Sequence, residues 1–231
     1  MHRFADLIGA LDASTHADAT MAALRRHFGA AACATDAAAA DAAWAVFFLT
    51  GGRLRPVLPK ALLRVMACQQ AGIDGWLFDA CHRMAGDLAE TIAHVVPPAP
   101  AGTPVPEVGL AQCIEQGLLP LRGLPPAEQA QRIGQALVPL DTDCRCLLIR
   151  LVGGLRLSPN LRPLLQRVLA ELAGVSPAHM AQRLQGWADA RLSPSAARWQ
   201  ALVAPVDDPG LAGAERPAPG LPYPFCMAQA L

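Results

Sequence analysis

The chain has 231 residues, of which 53% are hydrophobic and 16% are charged. This apolar content supports a sizeable core in one large or two small domains, and it excludes disorder throughout the chain. Nineteen Lys and Arg residues balance nineteen Asp and Glu residues, so the net charge by itself indicates neither a nucleic-acid nor a membrane partner. Among these cations only Lys60 is a lysine.

The N-terminal residues predict an amphipathic helix rather than a targeting signal, because their apolar side chains follow helical spacing. The longest apolar stretch, Ala42 to Leu49, is much shorter than the ~20 residues that a membrane span needs. We therefore expect a cytoplasmic protein with no membrane partner. Seven scattered cysteines without a C-x-x-C pair predict reduced thiols, and we assign no metal ligand, although Cys144 and Cys146 form a C-x-C.

Ala, Leu, Arg and Gln dominate the periodic segments, so the pattern predicts an all-α fold without strands. Serine followed by proline, at Ser176 and Ser193, predicts helices that begin with a serine cap, and Asp74 can cap a helix in the same way. About twelve helices are predicted, at residues 2–11, 17–29, 39–50, 58–70, 75–84, 87–96, 107–118, 126–137, 142–152, 160–173, 177–187 and 194–203.

Proline-rich segments predict the domain organisation. Residues 97–106 contain five prolines, a composition typical of a stiff connector, and we expect it to join helical halves 1–96 and 107–204 of one domain. Residues 205–231 are rich in Pro and Gly and predict an exposed linker.

The two halves resemble each other at an offset of 102 residues. Gly51 and Gly52 align with Gly153 and Gly154 without a gap, and Lys60 aligns with Arg162. The same register holds for a later Ala-Gly pair and for the helix starts that follow it. The repeat predicts two pseudo-symmetric halves, each with a Gly-Gly loop between helices.

Positive charge is concentrated around these Gly-Gly loops. Residues 51–67 and 150–167 contain no acid. Their cations are Arg53, Arg55, Lys60, Arg64, Arg150, Arg156, Arg162 and Arg167. A Gly-Gly loop lets a ligand approach the backbone, and the next helix offers free N–H groups, so the pattern indicates a polyanion partner bound through its phosphates. Neither loop matches a nucleotide-binding P-loop.

Six segments in order carry a resemblance to a known family. They are 42–53 (AAWAVFFLTGGR), 86–91 (GDLAET), 118–128 (LLPLRGLPPAE), 147–156 (LLIRLVGGLR), 170–184 and 222–225 (PYPF). Through them nearly the whole chain resembles the all-helical N-terminal DNA-binding domain of bacterial ATP-dependent DNA ligases. The resemblance implies two pseudo-symmetric helical halves that grip the minor groove on both sides of a nick without reading base sequence.

The resemblance, together with the charge pattern, assigns thirteen residues to the DNA-binding site. They are Gly51, Gly52, Arg53, Arg55, Lys60, Arg64, Gly153, Gly154, Arg156, Ser158, Asn160, Arg162 and Arg167. The chain departs from the family pattern at residues 157–160 (LSPN), where its second loop is one residue longer.

No catalytic residue is assigned. Ligases attack ATP with the lysine of a Lys-x-Asp-Gly motif, whereas Lys60 is followed by Ala-Leu-Leu. The resemblance therefore implies that residues 205–231 lead toward an adenylation domain outside this sequence, and that ATP and Mg²⁺ belong to that domain rather than to this chain. The partners it implies are nicked double-stranded DNA and the catalytic domains in cis, in a monomeric ligase of DNA repair, replication and recombination associated with the nucleoid.

Two other functions fit parts of the pattern. An α-helical repeat scaffold for protein–protein interaction would also show repeated helical pairs, although more than two copies are expected for one. A helical base-excision glycosylase is the second, because residues 172–181 (LAGVSPAHMA) faintly resemble a helix-hairpin-helix turn. The four tryptophans lie in amphipathic helices and are predicted to be core residues rather than base-stacking ones.

Overall fold

The computed structural model describes residues 1–29, 33–100, 102–103, 107–189 and 192–205. Throughout these ranges the regular secondary structure is helical, which confirms the all-α prediction. The α-helices described are α1 (His2–Ala13), α2 (Ala17–Phe28), α3 (Asp36–Leu49), α4 (Lys60–Ala71), α5 (Gly75–Ala85), α6 (Leu88–Val95), α7 (Leu110–Gln112), α8 (Pro126–Leu137), α9 (Thr142–Gly153), α10 (Leu161–Ala173), α11 (Pro177–Arg183) and α12 (Ala196–Val203). None of these helices is both long enough and apolar enough to cross a membrane.

The predicted linker and the predicted connector both include residues outside the described ranges. Beyond Pro205, the predicted linker lies outside the described residues, and so does the family segment 222–225. Three prolines of the predicted connector, Pro97, Pro98 and Pro100, are described, whereas Pro104 and Pro106 are not.

Side-chain caps begin several of the helices. Ser176 Oγ accepts a hydrogen bond from the His179 amide at 3.2 Å, as its Ser-Pro sequence predicts. Helix α12 corrects the second Ser-Pro prediction, because it begins two residues later with Ser195 as its cap. Asp74 occupies the N-cap position of α5, but its side chain makes no capping hydrogen bond.

The predicted helix 107–118 is irregular in the structure. Only Leu110–Gln112 is α-helical, and the chain continues as a π-helical turn (Cys113–Leu118) and a 3₁₀ turn (Pro120–Gly123). Pro120 lacks the N–H that would extend an α-helix, and Gly117 weakens one. The wide turn is closed by the Leu119 amide, which donates to the Ile114 carbonyl at 2.8 Å.

The chain folds into two compact units. The first contains Met1–Ala13 and Arg53–Arg156, and the second contains Ser14–Gly52 and the described residues from Leu157 onward. The units differ from the halves 1–96 and 107–204, because each takes helices from both sides of the proline-rich segment. The chain therefore passes from one unit to the other beside each Gly-Gly pair.

Helix α9 is the central helix of the first unit. It packs on α6 and α1, while α8 packs on α4. Most of α9 is buried, including Leu147, Leu148 and Leu151, and the facing side of α6 offers the small residues Ala89 and Ala93. Small side chains let the two helix axes approach closely.

Helix α3 is the central helix of the second unit. It packs on α12, while α2 packs on α10. Every residue from 42 to 49 is buried, as expected for a helix that is apolar on all sides. Aromatic rings join the helices of this core: Phe28 of α2 stacks on Trp199 of α12, with ring centroids 5.4 Å apart.

The helix pairings of the two units correspond. In the second unit α3, which precedes one Gly-Gly pair, packs on α12, the last helix of the set α10–α12. In the first unit α9, which precedes the other Gly-Gly pair, packs on α6, the last helix of the set α4–α6. The preceding helices pack on the first helix of the same sets, because α2 packs on α10 and α8 packs on α4. Helices α4 and α10 both end at a left-handed glycine, Gly72 with φ 64° and Gly174 with φ 65°. The sequence repeat is thus matched by equivalent contacts within each unit.

Candidate nucleic-acid interface

Two basic segments meet in the first unit. Residues 53–59 have no regular secondary structure and are anchored by buried Leu54, Val57 and Leu58. The Val57 amide donates to the carbonyl of Val152, near the end of α9, at 3.0 Å. This segment therefore lies beside the turn at Gly153 and Gly154.

A cleft of about 690 Å³ opens where these segments meet α4, α5 and α6. Its charged lining residues are Asp12, Lys60, Arg64, Asp79, Asp87, Arg150 and Arg156. Each acid among them already has a partner in the protein. Asp12 accepts from Arg150 at 2.5 Å, Asp79 accepts from Arg64 at 2.7 Å, and Asp87 caps α6 through the Glu90 amide at 2.9 Å. Lys60 and Arg156 have no acidic partner among the described residues.

Arg64 is held firmly between α4 and α5. Its guanidinium donates two hydrogen bonds to the Asp79 carboxylate and one, at 2.8 Å, to the Gly75 carbonyl. The hydrogen bond from Arg64 is the main reason that the pKa of Asp79 lies below its ordinary value, with burial acting in the opposite direction. Arg64 is thus a predicted DNA contact that also joins two helices.

Four exposed cations of the basic segments in the first unit form no ion pair with any described acid: Arg53, Arg55, Lys60 and Arg156. Lys60 is the first residue of α4 and follows Pro59, which offers no side-chain cap. The first N–H groups of a helix have no partner within it and carry a partial positive charge. The basic surface therefore combines free cations with the positive end of α4.

The Gly-Gly pairs differ in their backbone roles. In the second unit the amides of Gly51 and Gly52 donate to the carbonyls of Phe48 and Phe47, at 3.0 and 2.8 Å, and so end α3. These two N–H groups are therefore used within the protein. In the first unit Gly154, with φ 91°, makes no corresponding capping bond with any residue that the structure describes.

The remaining predicted residues lie at the start of α10, in the second unit. Ser158 and Asn160 form the turn before the helix, in which the Leu161 amide donates to the Ser158 carbonyl at 3.2 Å. Arg162 is exposed and has no described acid as partner. Arg167 lies near Glu171.

The thirteen predicted residues are thus divided between the units. Seven belong to the first: Arg53, Arg55, Lys60, Arg64, Gly153, Gly154 and Arg156. Six belong to the second: Gly51, Gly52, Ser158, Asn160, Arg162 and Arg167. The tryptophan prediction holds for Trp44, Trp187 and Trp199, which are buried, and is wrong for Trp76, which is 69% exposed on α5.

Sequence reasoning missed one group of side chains in the first unit. His2 Nδ1 lies 2.9 Å from Asp141 Oδ2 and 3.3 Å from Cys144 Sγ. Burial, reinforced by the Asp141 carboxylate, raises the pKa of the Cys144 thiol to about 12. The sequence offers only a weak signal for this group, because His2 is 142 positions from Cys144 and its nearness depends on the fold.

Comparison with known proteins found no matching family model, no matching curated protein and no matching solved structure.

Proposed function

We propose that this chain is a DNA-binding module that holds duplex DNA through its phosphates without reading base sequence. The observation that carries the proposal is the surface of the first unit formed by Arg53, Arg55, Lys60 and Arg156, four exposed cations around the start of α4 that have no partner among the described acids. Phosphate contacts of this kind provide affinity and position but no sequence information.

The sequence resemblance makes the proposal more specific. It places the module at the N-terminus of an ATP-dependent DNA ligase, where it would contact the minor groove on both sides of a nick during repair or replication. The equivalent helix pairings in the two units support this reading, because that family is expected to have two related helical halves. Catalysis would belong to the adenylation domain, which would also bind ATP and Mg²⁺.

Fluorescence anisotropy with labelled nicked duplexes of two unrelated sequences tests the proposal. We expect both duplexes to bind with equal affinity and the affinity to fall steeply with salt. The double variant Arg53→Ala/Arg156→Ala should bind roughly tenfold more weakly at low salt, and its slope of log affinity against log salt should be smaller by about two.

The matched control is Arg122→Ala/Arg132→Ala, which removes two exposed cations of the same unit from other elements. It should bind like the wild type at each salt concentration. Failure of the wild-type chain to bind DNA at low salt would refute the proposal, and equal losses in both double variants would refute the assigned surface.

A protein-interaction scaffold is the second candidate, and one observation favours it. Apolar side chains are exposed on α4 and α5 of the first unit: Val65 is 45% exposed, Trp76 69% and Met84 89%. Large apolar side chains exposed on packed helices can belong to a protein contact. Under this function the Arg53→Ala/Arg156→Ala variant would lose nothing, and Trp76→Ser would abolish partner binding.

A further inference from the structure

Three potential metal ligands of different chemical types converge at the start of α9. Asp141 is the N-cap of this helix, Cys144 lies in its first turn, and His2 is the first residue of α1. Their ligand atoms all lie within 4.8 Å of one another, and no other group of this kind occurs in the described ranges. Helices α1 and α9 pack together in the first unit, so the group joins two packed elements.

The directions of these contacts matter as much as their lengths. Both the Asp141 carboxylate and the Cys144 sulfur approach the same imidazole atom, His2 Nδ1, at 2.9 and 3.3 Å. A ring nitrogen has a single lone pair or a single proton in the ring plane, so Nδ1 can form a good hydrogen bond with only one of these two groups, while the thiol can donate its own proton to the Asp141 carboxylate. One metal ion on that lone pair can bond all three atoms.

The two distances measured from His2 Nδ1 are close to those of a tetrahedral site, and the Asp141 oxygen and the Cys144 sulfur lie within 4.8 Å of each other. Metal–ligand bonds of about 2.0 to 2.3 Å at tetrahedral angles place neighbouring N, O and S ligand atoms roughly 3.4 to 3.6 Å apart. The two distances from His2 Nδ1, 2.9 and 3.3 Å, need to lengthen by about half an ångström or less. Asp141 and His2 have partly exposed side chains, at 47% and 40%, so both can adjust and an ion can enter from solvent.

We propose that His2, Asp141 and Cys144 form a Zn²⁺ site with three protein ligands and a fourth position open to water. A thiolate and an imidazole together favour zinc and related transition metals, whereas Mg²⁺ and Ca²⁺ prefer oxygen ligands. Binding forms an S–Zn bond, and the Cys144 thiol releases its proton to solvent with no change of oxidation state. The site ties α1 to α9, so metal binding stabilises the first unit.

Titration with Co²⁺, a spectroscopic substitute for Zn²⁺, tests the site directly. The full chain, purified without a histidine tag, should bind one Co²⁺ and develop the near-ultraviolet charge-transfer absorption of a cobalt–thiolate bond. Zn²⁺ should displace the cobalt and raise the midpoint temperature of unfolding. The Cys144→Ser variant should lose the thiolate band and bind Zn²⁺ about 100-fold or more weakly.

Two variants separate metal binding from folding. Cys146→Ser, which removes a thiol two residues further along α9, should keep the band and the affinity of the wild type. Asp141→Asn retains an N-cap acceptor and should fold normally but bind Zn²⁺ more weakly. A wild-type chain without a thiolate band, or a band that persists in Cys144→Ser and disappears in Cys146→Ser, would overturn the proposal.

Discussion

At the scale of single residues, Arg145 shows how the first unit uses a buried charge. It is 4% exposed and lies in α9. Its guanidinium donates to four backbone carbonyls, at distances of 2.7 to 3.0 Å, and none of its bonds is to an acid. The four carbonyls belong to Val96, Pro97, Leu137 and Val138. The cation therefore satisfies carbonyls just after α6 and at the end of α8, where the negative ends of helix dipoles favour it.

Replacing Arg145 with Met should destabilise the protein strongly. Met approximates the length of the side chain but leaves buried carbonyls without donors, and we expect a loss of about 3 kcal/mol in the free energy of unfolding. Urea denaturation followed by circular dichroism measures this loss. Arg132→Met, which removes one exposed ion pair with Glu128, is the control and should cost less than about 0.5 kcal/mol. Equal effects of the two changes would contradict the role given to Arg145.

Alanine substitutions in the two Gly-Gly pairs should have opposite effects on the free energy of unfolding. A Cβ on Gly52 would lie 2.6 Å from the Phe47 carbonyl oxygen, whereas a Cβ on Gly153 would meet nothing within 4 Å. Gly52→Ala should therefore lower the free energy of unfolding by about 1 to 3 kcal/mol, because the end of α3 must shift. Gly153→Ala should leave it unchanged or raise it slightly, since alanine favours a helix. Thermal unfolding of the two variants compares them, and a destabilised Gly153→Ala would show that the second turn is tighter than described.

At the scale of elements, the ion pair between Arg64 and Asp79 makes the contact of α4 with α5 sensitive to pH. The folded-state pKa of Asp79 is below its ordinary value, so its contribution to stability is complete above the unfolded-state pKa of about 4 and is lost as the pH falls through the folded-state value. Asp79→Asn should therefore be less stable than the wild type at pH 7, and the difference should shrink in acid. Urea titrations between pH 7 and pH 2 measure it.

A double-mutant cycle identifies the cause of this dependence. When Arg64 is already replaced by Met, the further change of Asp79 to Asn should no longer show the pH-dependent difference. If the difference remains in the Arg64→Met background, another cation near Asp79 is responsible.

Much of the helical pattern could be predicted because its signals are local. The cap at Ser176 and the left-handed glycines that end α4 and α10 depend on only a few neighbouring residues. Errors arose where two local signals competed. Ser193 and Ser195 are both able to cap α12, and the structure uses Ser195, which leaves Pro194 outside the helix. Nothing in the spacing alone distinguishes these two starts.

The sequence predicts which residues of the candidate site are charged, but not which of them form ion pairs or hydrogen bonds within the protein. Composition along the chain identifies the eight cations of the two basic segments. It does not reveal that Arg64 and Arg150 are bound to acids, since Asp79 and Asp12 lie 15 and 138 positions away. In the same way, the Gly51 and Gly52 amides could not be known to end α3. The free cations can be separated from the paired ones only after folding.

At the scale of the whole molecule, the sequence repeat and the folded units divide the chain differently. The helical pair α2–α3 packs on helices that follow residue 160, and the pair α8–α9 packs on helices that precede residue 96. A repeat in the sequence shows which segments are equivalent, but it does not show whether a segment packs within its own copy or on the other. Proline content at residues 97–106 marks a break in helical structure, and both sides of that break contribute to each unit.

Cutting the chain at the proline-rich segment should therefore unfold both pieces. Fragment 1–102 would keep α4–α6 without α9, and α3 without α12. The apolar faces of α6 and α3 that pack on these missing helices would therefore be exposed to water. Each fragment alone should have a low helix content by circular dichroism and no cooperative thermal transition. Mixing equal amounts should restore a helical, cooperatively unfolding complex, because the interfaces within both units form again. A fragment 1–102 that folds cooperatively by itself would instead favour the halves 1–96 and 107–204 as the folding units. It would contradict the packing of the pairs α2–α3 and α8–α9 on helices of the other half.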